Sequence, residues 1–300
     1  DIVFSDVIIS ALEFHSPRTI HALADLGMNI DMKDEEGITC LHLAVLFNDV
    51  SLVKELLDLG AESDICDEDG ETPLHYAVIH GFKEIAKLLV ENGADFNVKD
   101  NFNMTPLHTS LEEKHIDIFT YLIEQGADCN ILGEYNRTPL HYAVMHNDID
   151  VIKAVIQSHA DINIKDSYGR TPLVYAALIG FPTVIKALIE NGAVTTECDE
   201  YGRSVLHLAA GHGFTTIVEM LLTKGLEVNL KDIQGRSPLH FAASGGHKEV
   251  CMFLLNVGAD KEIGDNDKIT PLHYAAGKGH DSIIELLINN GVDVNIGEDF

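Results

Sequence analysis

Apolar residues recur along this chain in two short runs per cycle, each run spaced as one face of a helix. In one cycle Leu74, Ala77 and Val78 fall on one side, and a second amphipathic run follows as Glu84-Ile85-Ala86-Lys87-Leu88-Leu89-Val90. Gly81 separates the two runs, Gly93 stops the second, and a polar stretch from Asp95 to Asp100 leads into the next cycle. This pattern predicts two helices joined by a tight turn, then a polar loop. The clearest marker of the cycle is Thr72-Pro73-Leu74-His75, which returns in full at Thr105, Thr138 and Thr270 and in altered form at Thr39, Thr171, Ser204 and Ser237. Every step between these positions is 33 residues, with no insertion. A fixed period of that size predicts stacked units, each burying its apolar face against its neighbours.

The marker has the chemistry of a helix start. A Thr or Ser hydroxyl accepts an orphan N–H of the first turn, and Pro at the next position loses no needed donor. Gly just beyond each second run is the left-handed residue expected past a helix end. A turn-like finger, two antiparallel helices, T-P-L-H and G-A-D-x-N at a 33-residue step resemble the ankyrin repeat. The resemblance covers eight units over residues 34–300, with residues 1–33 as an N-terminal helical half-repeat. It implies an all-α solenoid of helix-turn-helix units with β-hairpin-like fingers, curved, with fingers and first helices lining a concave groove. Such stacks mostly bind other proteins.

Some units depart from the frame. The first has Asp6 where Thr stands elsewhere; Ser5-Asp6 is expected to cap a helix through Phe14, and Ser16-Pro17 to open a second one ending at Gly27. Asn103 and Asn136 replace the finger Gly, His159 replaces a helix-ending Gly, and Lys268 occupies a finger position that is uncomfortable at positive φ. The last unit reads like an interior one through Ile283–Ile288 and is followed by a lead-in to another finger. The expectation is a chain that begins and ends inside a longer protein, with the eighth unit the least stable.

Composition narrows the partners. The net charge is −28, from 48 acids against 20 bases, so nucleic acid and anionic membranes are excluded as natural partners. Residues 1–100 hold 21 acids and 6 bases, residues 201–300 only 13 and 8, so the acidic end is the N-terminal one. Five cysteines without a C-x-x-C pair point to a reducing, cytoplasmic setting and no disulfide framework. No apolar run is long enough for membrane insertion.

Sixteen histidines raise the question of a metal. Seven (His42, His75, His108, His141, His207, His240 and His273) are the marker His, expected about 10 Å apart, too far to share one ion. Hydrogen bonding to Thr and to neighbouring backbone is their expected role. His212, His247 and His280 lie in turns between helices and are expected to be structural. No nucleotide, zinc or hydrolase motif is present, so no cofactor, metal or catalytic residue is assigned. The resemblance also implies asparaginyl hydroxylation eight residues before the marker, at Asn97, Asn130, Asn163, Asn229 and Asn295; the alternative is that these Asn tie finger backbones together.

The candidate binding surface lies on the fingers and the ends of the first helices. Three residues before the marker stand Phe102, Tyr135, Tyr168 and Tyr201; one residue before it stand Arg137, Arg170, Arg203 and Arg236. Stacked fingers would make these an aromatic and a guanidinium stripe, the residue types that dominate binding hot spots. Leu46-Phe47, Ile79-His80, Met145-His146 and Leu178-Ile179 add bulk at the first-helix ends. The expected ligand is a protein or peptide held across the third to sixth units, with acidic groups meeting the Arg stripe and any basic segment extending toward Asp67, Glu68, Asp69 and Glu71. The competing reading of the arginines is a bond to the next finger. The expected function is a non-catalytic interaction module, with a monomer as the default for an oligomeric state the sequence leaves open. The alternative is a regulatory or targeting segment of a larger enzyme or channel.

Overall fold

The computed structural model describes residues 17–27 and 29–294. Helix α1 (Pro17–Asp25) precedes a series of helix pairs: α2 (Cys40–Leu46) with α3 (Val50–Asp58), α4 (Pro73–Ile79) with α5 (Lys83–Glu91), α6 (Pro106–Glu112) with α7 (Ile116–Glu124), and α8 (Pro139–Met145) with α9 (Ile149–Gln157). They continue as α10 (Pro172–Ile179) with α11 (Pro182–Glu190), α12 (Val205–Gly211) with α13 (Thr215–Thr223), α14 (Pro238–Gly245) with α15 (Lys248–Asn256), and α16 (Pro271–Lys278) with α17 (Asp281–Asn289). The helix expected from Ser16-Pro17 to Gly27 forms as α1, while the one expected from Asp6 to Phe14 lies outside the described residues.

Each first helix starts as its sequence demands. Thr72 is extended (φ −90°, ψ 166°) and its side chain accepts from the His75 N–H, while the His75 ring accepts in return from the Thr72 N–H. The same reciprocal cap closes α2, α6, α12, α14 and α16. In α10, where Val174 replaces His, only the Thr171 half of the cap remains. Left-handed residues end the first helices, as Gly180 does at φ 91° and Gly246 at φ 79°.

Asn103, Asn136, His159 and Lys268 do adopt positive φ, at 64°, 57°, 63° and 62°. Tyr135 joins them at 55°, because Gly133 stands where the other fingers have Asp and the turn tightens to a 3-10 helix over Glu134–Asn136. Among the described residues the fingers contain no strand, only one antiparallel bridge between Cys198 and Ser204. The finger is a side-chain-stapled turn whose ends pair as in a hairpin, Asp67 N–H to the Glu71 carbonyl at 3.0 Å and Asp199 N–H to the Arg203 carbonyl at 3.1 Å.

The described residues form two compact units, those up to 142 with 157–160, and 143–156 with those from 161 on. In the first, α2, α4 and α6 pack in sequence as an inner layer, and α3, α5 and α7 as an outer one. Its core includes Leu41, Leu52, Leu56, Leu74, Ile85, Leu89, Leu107 and Phe119, all essentially removed from solvent. In the second, α10, α12, α14 and α16 form the inner layer and α11, α13, α15 and α17 the outer one. The last pair is the least covered: His240 is fully buried on α14, whereas its counterpart His273 on α16 is exposed, and Ile288 on α17 is 44% exposed.

Candidate functional site

The marker histidines are committed to structure. His42 Nδ1 accepts from the Thr39 N–H (3.2 Å), which leaves the proton on Nε2 to donate to the Glu71 carbonyl, 29 residues on (3.1 Å). His75, His108, His207 and His240 repeat the link to Met104, Arg137, Arg236 and Ile269 carbonyls. Burial holds these imidazoles below their ordinary range, and pushes His108 down to about 4, so the rings stay neutral. The turn histidines His247 and His280 donate from Nε2 to the Gly211 and Ser244 carbonyls of the preceding unit (2.9 and 3.1 Å). Among the described residues no group of three His, Cys, Asp or Glu side chains is placed to hold a metal. Burial also pushes the thiols of Cys40 and Cys129 up to about 11 and that of Cys251 to about 12, which removes their nucleophilicity.

Every finger except the fourth, which has Gly133, is built on an Asp five residues before the marker. Asp232 Oδ1 accepts from the Gln234 and Arg236 N–H groups (3.0 and 2.8 Å), which fixes the turn. In five fingers the other oxygen of this Asp, Oδ2, takes a second donor, and the residue nine positions on decides which. Where that residue is Tyr, the phenol supplies it: Tyr76 to Asp67 (2.7 Å), Tyr175 to Asp166 (2.7 Å), Tyr274 to Asp265 (2.9 Å). Where it is Leu208 or Phe241, the finger Arg supplies it: Arg203 Nε to Asp199 (2.7 Å) and Arg236 Nε and Nη2 to Asp232 (2.8 and 2.7 Å). Arg203 and Arg236 therefore bond the Asp of their own finger, not the next finger. The Asp carboxylates are fully buried, and the Arg side chains remain 23% exposed.

The guanidinium and aromatic stripes do meet, finger by finger. Arg137 lies 5.0 Å from the Tyr135 ring in the first unit. In the second, Arg170 lies 5.0 Å from Tyr168 and 5.7 Å from Tyr175, and Arg203 4.8 Å from Tyr201. Arg236, whose finger carries Gln234, stacks instead on Phe241 at 4.6 Å. Fingers join through backbone: the Tyr168 carbonyl accepts from Glu200 N–H and the Tyr201 carbonyl from Ile233 N–H, both at 3.2 Å, so these tips sit in register. Phe102, 59% exposed, has no Arg beside it, since Met104 takes that position and turns inward to accept from the Tyr142 hydroxyl. Of the first-helix residues, Phe47, His80, His146 and Ile179 are exposed, while Ile79, Met145 and Leu178 are half-buried.

A recess on this face of the second unit was not legible from bulk. It is lined by Arg203, Leu208, His212, Arg236, Phe241 and Tyr274, with Gly211, Ser244 and Gly245 beside them, and holds about 220 Å³. The small residues make it. The register of Gly211 and Ser244 is occupied by Leu46, Ile79, Glu112, Met145 and Leu178 in earlier units. Sequence reasoning sought large apolar groups there, whereas the cavity arises where they are missing. His212 lines the recess with its Nδ1 bonded to the Leu208 carbonyl at 2.9 Å.

Two further kinds of tie join neighbouring units. Lys33, Lys99 and Lys231 donate to the Cys66, Leu132 and Gly264 carbonyls 33 residues on (2.7, 2.8 and 3.3 Å), and Lys165 pairs with Glu197 (2.6 Å). These lysines recur at 66-residue steps, a signal present in the sequence. The candidate hydroxylation sites bridge units as well: Asn97 Oδ1 accepts from Asp128 N–H, Asn163 Oδ1 from Val194 N–H, and Asn229 Oδ1 from Asp260 N–H. Asp31 and Asp64 make the same bond, to Glu62 and Asp95 N–H. Asn130 is exposed, and Asn295 lies outside the described residues.

A family model described as ankyrin repeats (3 copies) matches residues 8–100, 94–166, 140–232 and 227–298, which together run through nearly all of the chain. A comparison with curated proteins finds no match. Among the described residues no helix is long and apolar enough to cross a membrane.

Proposed function

We propose, since this chain belongs to the ankyrin repeat family, that it is a non-catalytic module whose finger and inner-helix face binds a protein or peptide. Members of the family generally mediate protein–protein interaction, and the proposal places that role on the fingers of the second unit. The observation that carries it is the pairing of Tyr168 with Arg170 and Tyr201 with Arg203 on fingers held in register, with Tyr201 left 47% exposed. Rigid aromatic and guanidinium groups give large contact area at little entropic cost. The commitment of the marker histidines to caps and carbonyls supports the non-catalytic part of the reading. The first unit offers Tyr135 with Arg137 as a comparable pair.

The test is quantitative capture of partners by wild type and by Tyr168→Ala/Tyr201→Ala, followed by affinity measurement with the purified partner. A loss of about 2 kcal/mol or more is expected, with thermal unfolding unchanged. Equal affinity for a correctly folded double variant would sink this placement. The asparagine bonds support a structural role for Asn97, Asn163 and Asn229, to which hydroxylation would be incidental.

A further inference from the structure

The recess between α12, α14 and α16 has a composition at odds with its chain. With 48 acids against 20 bases overall, no Asp or Glu lines it, while two Arg and two His do. Its guanidinium groups are already oriented. Arg203 and Arg236 are each pinned through Nε and Nη2 by a carboxylate that has no exposed surface. An incoming group therefore meets N–H donors and not the carboxylates behind them, and no side-chain ordering remains to be done at binding. The Nη1 groups stand outside those carboxylate pairs. The rest of the wall is apolar or aromatic, from Leu208, Phe241 and Tyr274.

We propose that this recess takes a carboxylate-bearing side chain of a partner peptide, its stem against Leu208 and Phe241 and its oxygens facing Arg203 and Arg236. The proposal rests on the peptide-binding reading above and names the chemistry of the residue that reading leaves open. Charge complementarity selects an anion. A monoanion fits better than a phosphate dianion, because each guanidinium already answers one buried carboxylate and a second negative charge would be opposed by Asp199 and Asp232. Units that carry Leu, Ile, Met or Glu in the register of Gly211 and Ser244 lack the room. The site is thus confined to one stretch of the array.

The test uses two capped peptides that differ only in charge, acetyl-Leu-Glu-Leu-amide and acetyl-Leu-Gln-Leu-amide, with inorganic phosphate as a third probe. Binding to the whole chain is read from the arginine Nε–Hε NMR signals of Arg203 and Arg236. The Glu peptide is expected to shift both and to bind about tenfold more tightly than the Gln peptide, as charge-assisted hydrogen bonds do. Ser244→Met, which installs the residue that Met145 supplies in register, should abolish these shifts. Should that variant fail to fold, the comparison of the two peptides on the wild type still decides. Equal binding of the two peptides at these arginines would overturn the carboxylate while leaving peptide binding in place. Phosphate binding more tightly than the Glu peptide, unchanged shifts in a folded Ser244→Met, or no shifts with either peptide would each overturn the proposal. The Tyr168/Tyr201 experiment would still judge the broader reading independently.

Discussion

The second and seventh fingers share a backbone and differ in almost every charged contact. In both, an Asp Oδ1 accepts two N–H groups of the turn (2.9 and 2.8 Å in one, 3.0 and 2.8 Å in the other). In the second finger Tyr76 then satisfies Asp67, and the position before the marker holds Glu71. That carboxyl is half-buried, and burial, together with Asp67, Asp100 and Asp69 nearby, pushes it up to about 7. In the seventh finger Phe241 cannot donate, and Arg236 at the position of Glu71 satisfies Asp232 instead. Where a second donor meets the Asp, the turn does not demand a particular one. That freedom lets one fold carry an acidic finger in one place and a cationic one in another.

The largest effect should come from removing the donor that has no understudy. Arg236→Ala leaves the Asp232 carboxylate buried without its second partner and should cost about 3 kcal/mol in urea unfolding. Arg236→Ala/Phe241→Tyr restores a phenol where Tyr175 and Tyr274 have one, and should recover at least half of that loss. No recovery would break the idea that the residue nine positions on is interchangeable with the Arg.

A smaller effect is expected at the acidic finger. A carboxyl whose folded pKa lies above its unfolded value makes the folded state bind the extra proton, so its contribution worsens as pH rises from about 4.5 to about 7. Glu71→Gln should therefore stabilise the chain by about 1 kcal/mol at pH 8, after allowance for solvent screening, and by nothing measurable at pH 4. A gain that does not depend on pH would show that packing, not charge, distinguishes this finger.

The smallest is a control that touches neither the Asp nor its donor. Lys268 sits at φ 62° in the eighth finger, where five of the other fingers use Gly and two use Asn. Lys268→Gly should add about 0.5–1 kcal/mol, read as a rise in midpoint with the Tyr274–Asp265 bond intact. A loss would mean that the turn is held by its Lys side chain.

Much of this was legible because the determinants are local. Thr, Pro and His three apart specify the cap, and the four residues expected at positive φ are found there, since one residue's φ depends on the turn it closes. The destination of each Arg was harder to read, for it depends on residue 208 or 241 and not on the tripeptide around the Arg itself. Tyr135 is harder still: Gly133 removes the Asp staple, and the compensating 3-10 turn follows from a group that is missing. The recess was missed for a related reason. Volume left open by Gly211, Ser244 and Gly245 has no signature among residue types chosen for contact.

The lysine ties give the array a grain coarser than its helices. Lys33 reaches Cys66 and Lys99 reaches Leu132, but position 66, in the register of those lysines, is a Cys and ties nothing forward to Lys99. Position 198 is likewise a Cys between Lys165 and Lys231. These lysines thus latch neighbours in couples, a 66-residue modulation laid over the 33-residue repeat and its Asp and Asn bridges. Cutting out a couple would preserve every remaining latch. Cutting out a single 33-residue unit would leave a main-chain carbonyl in reach of the first lysine but bring a second ammonium beside it. Length can be edited in this architecture, but the cheap increment is two units.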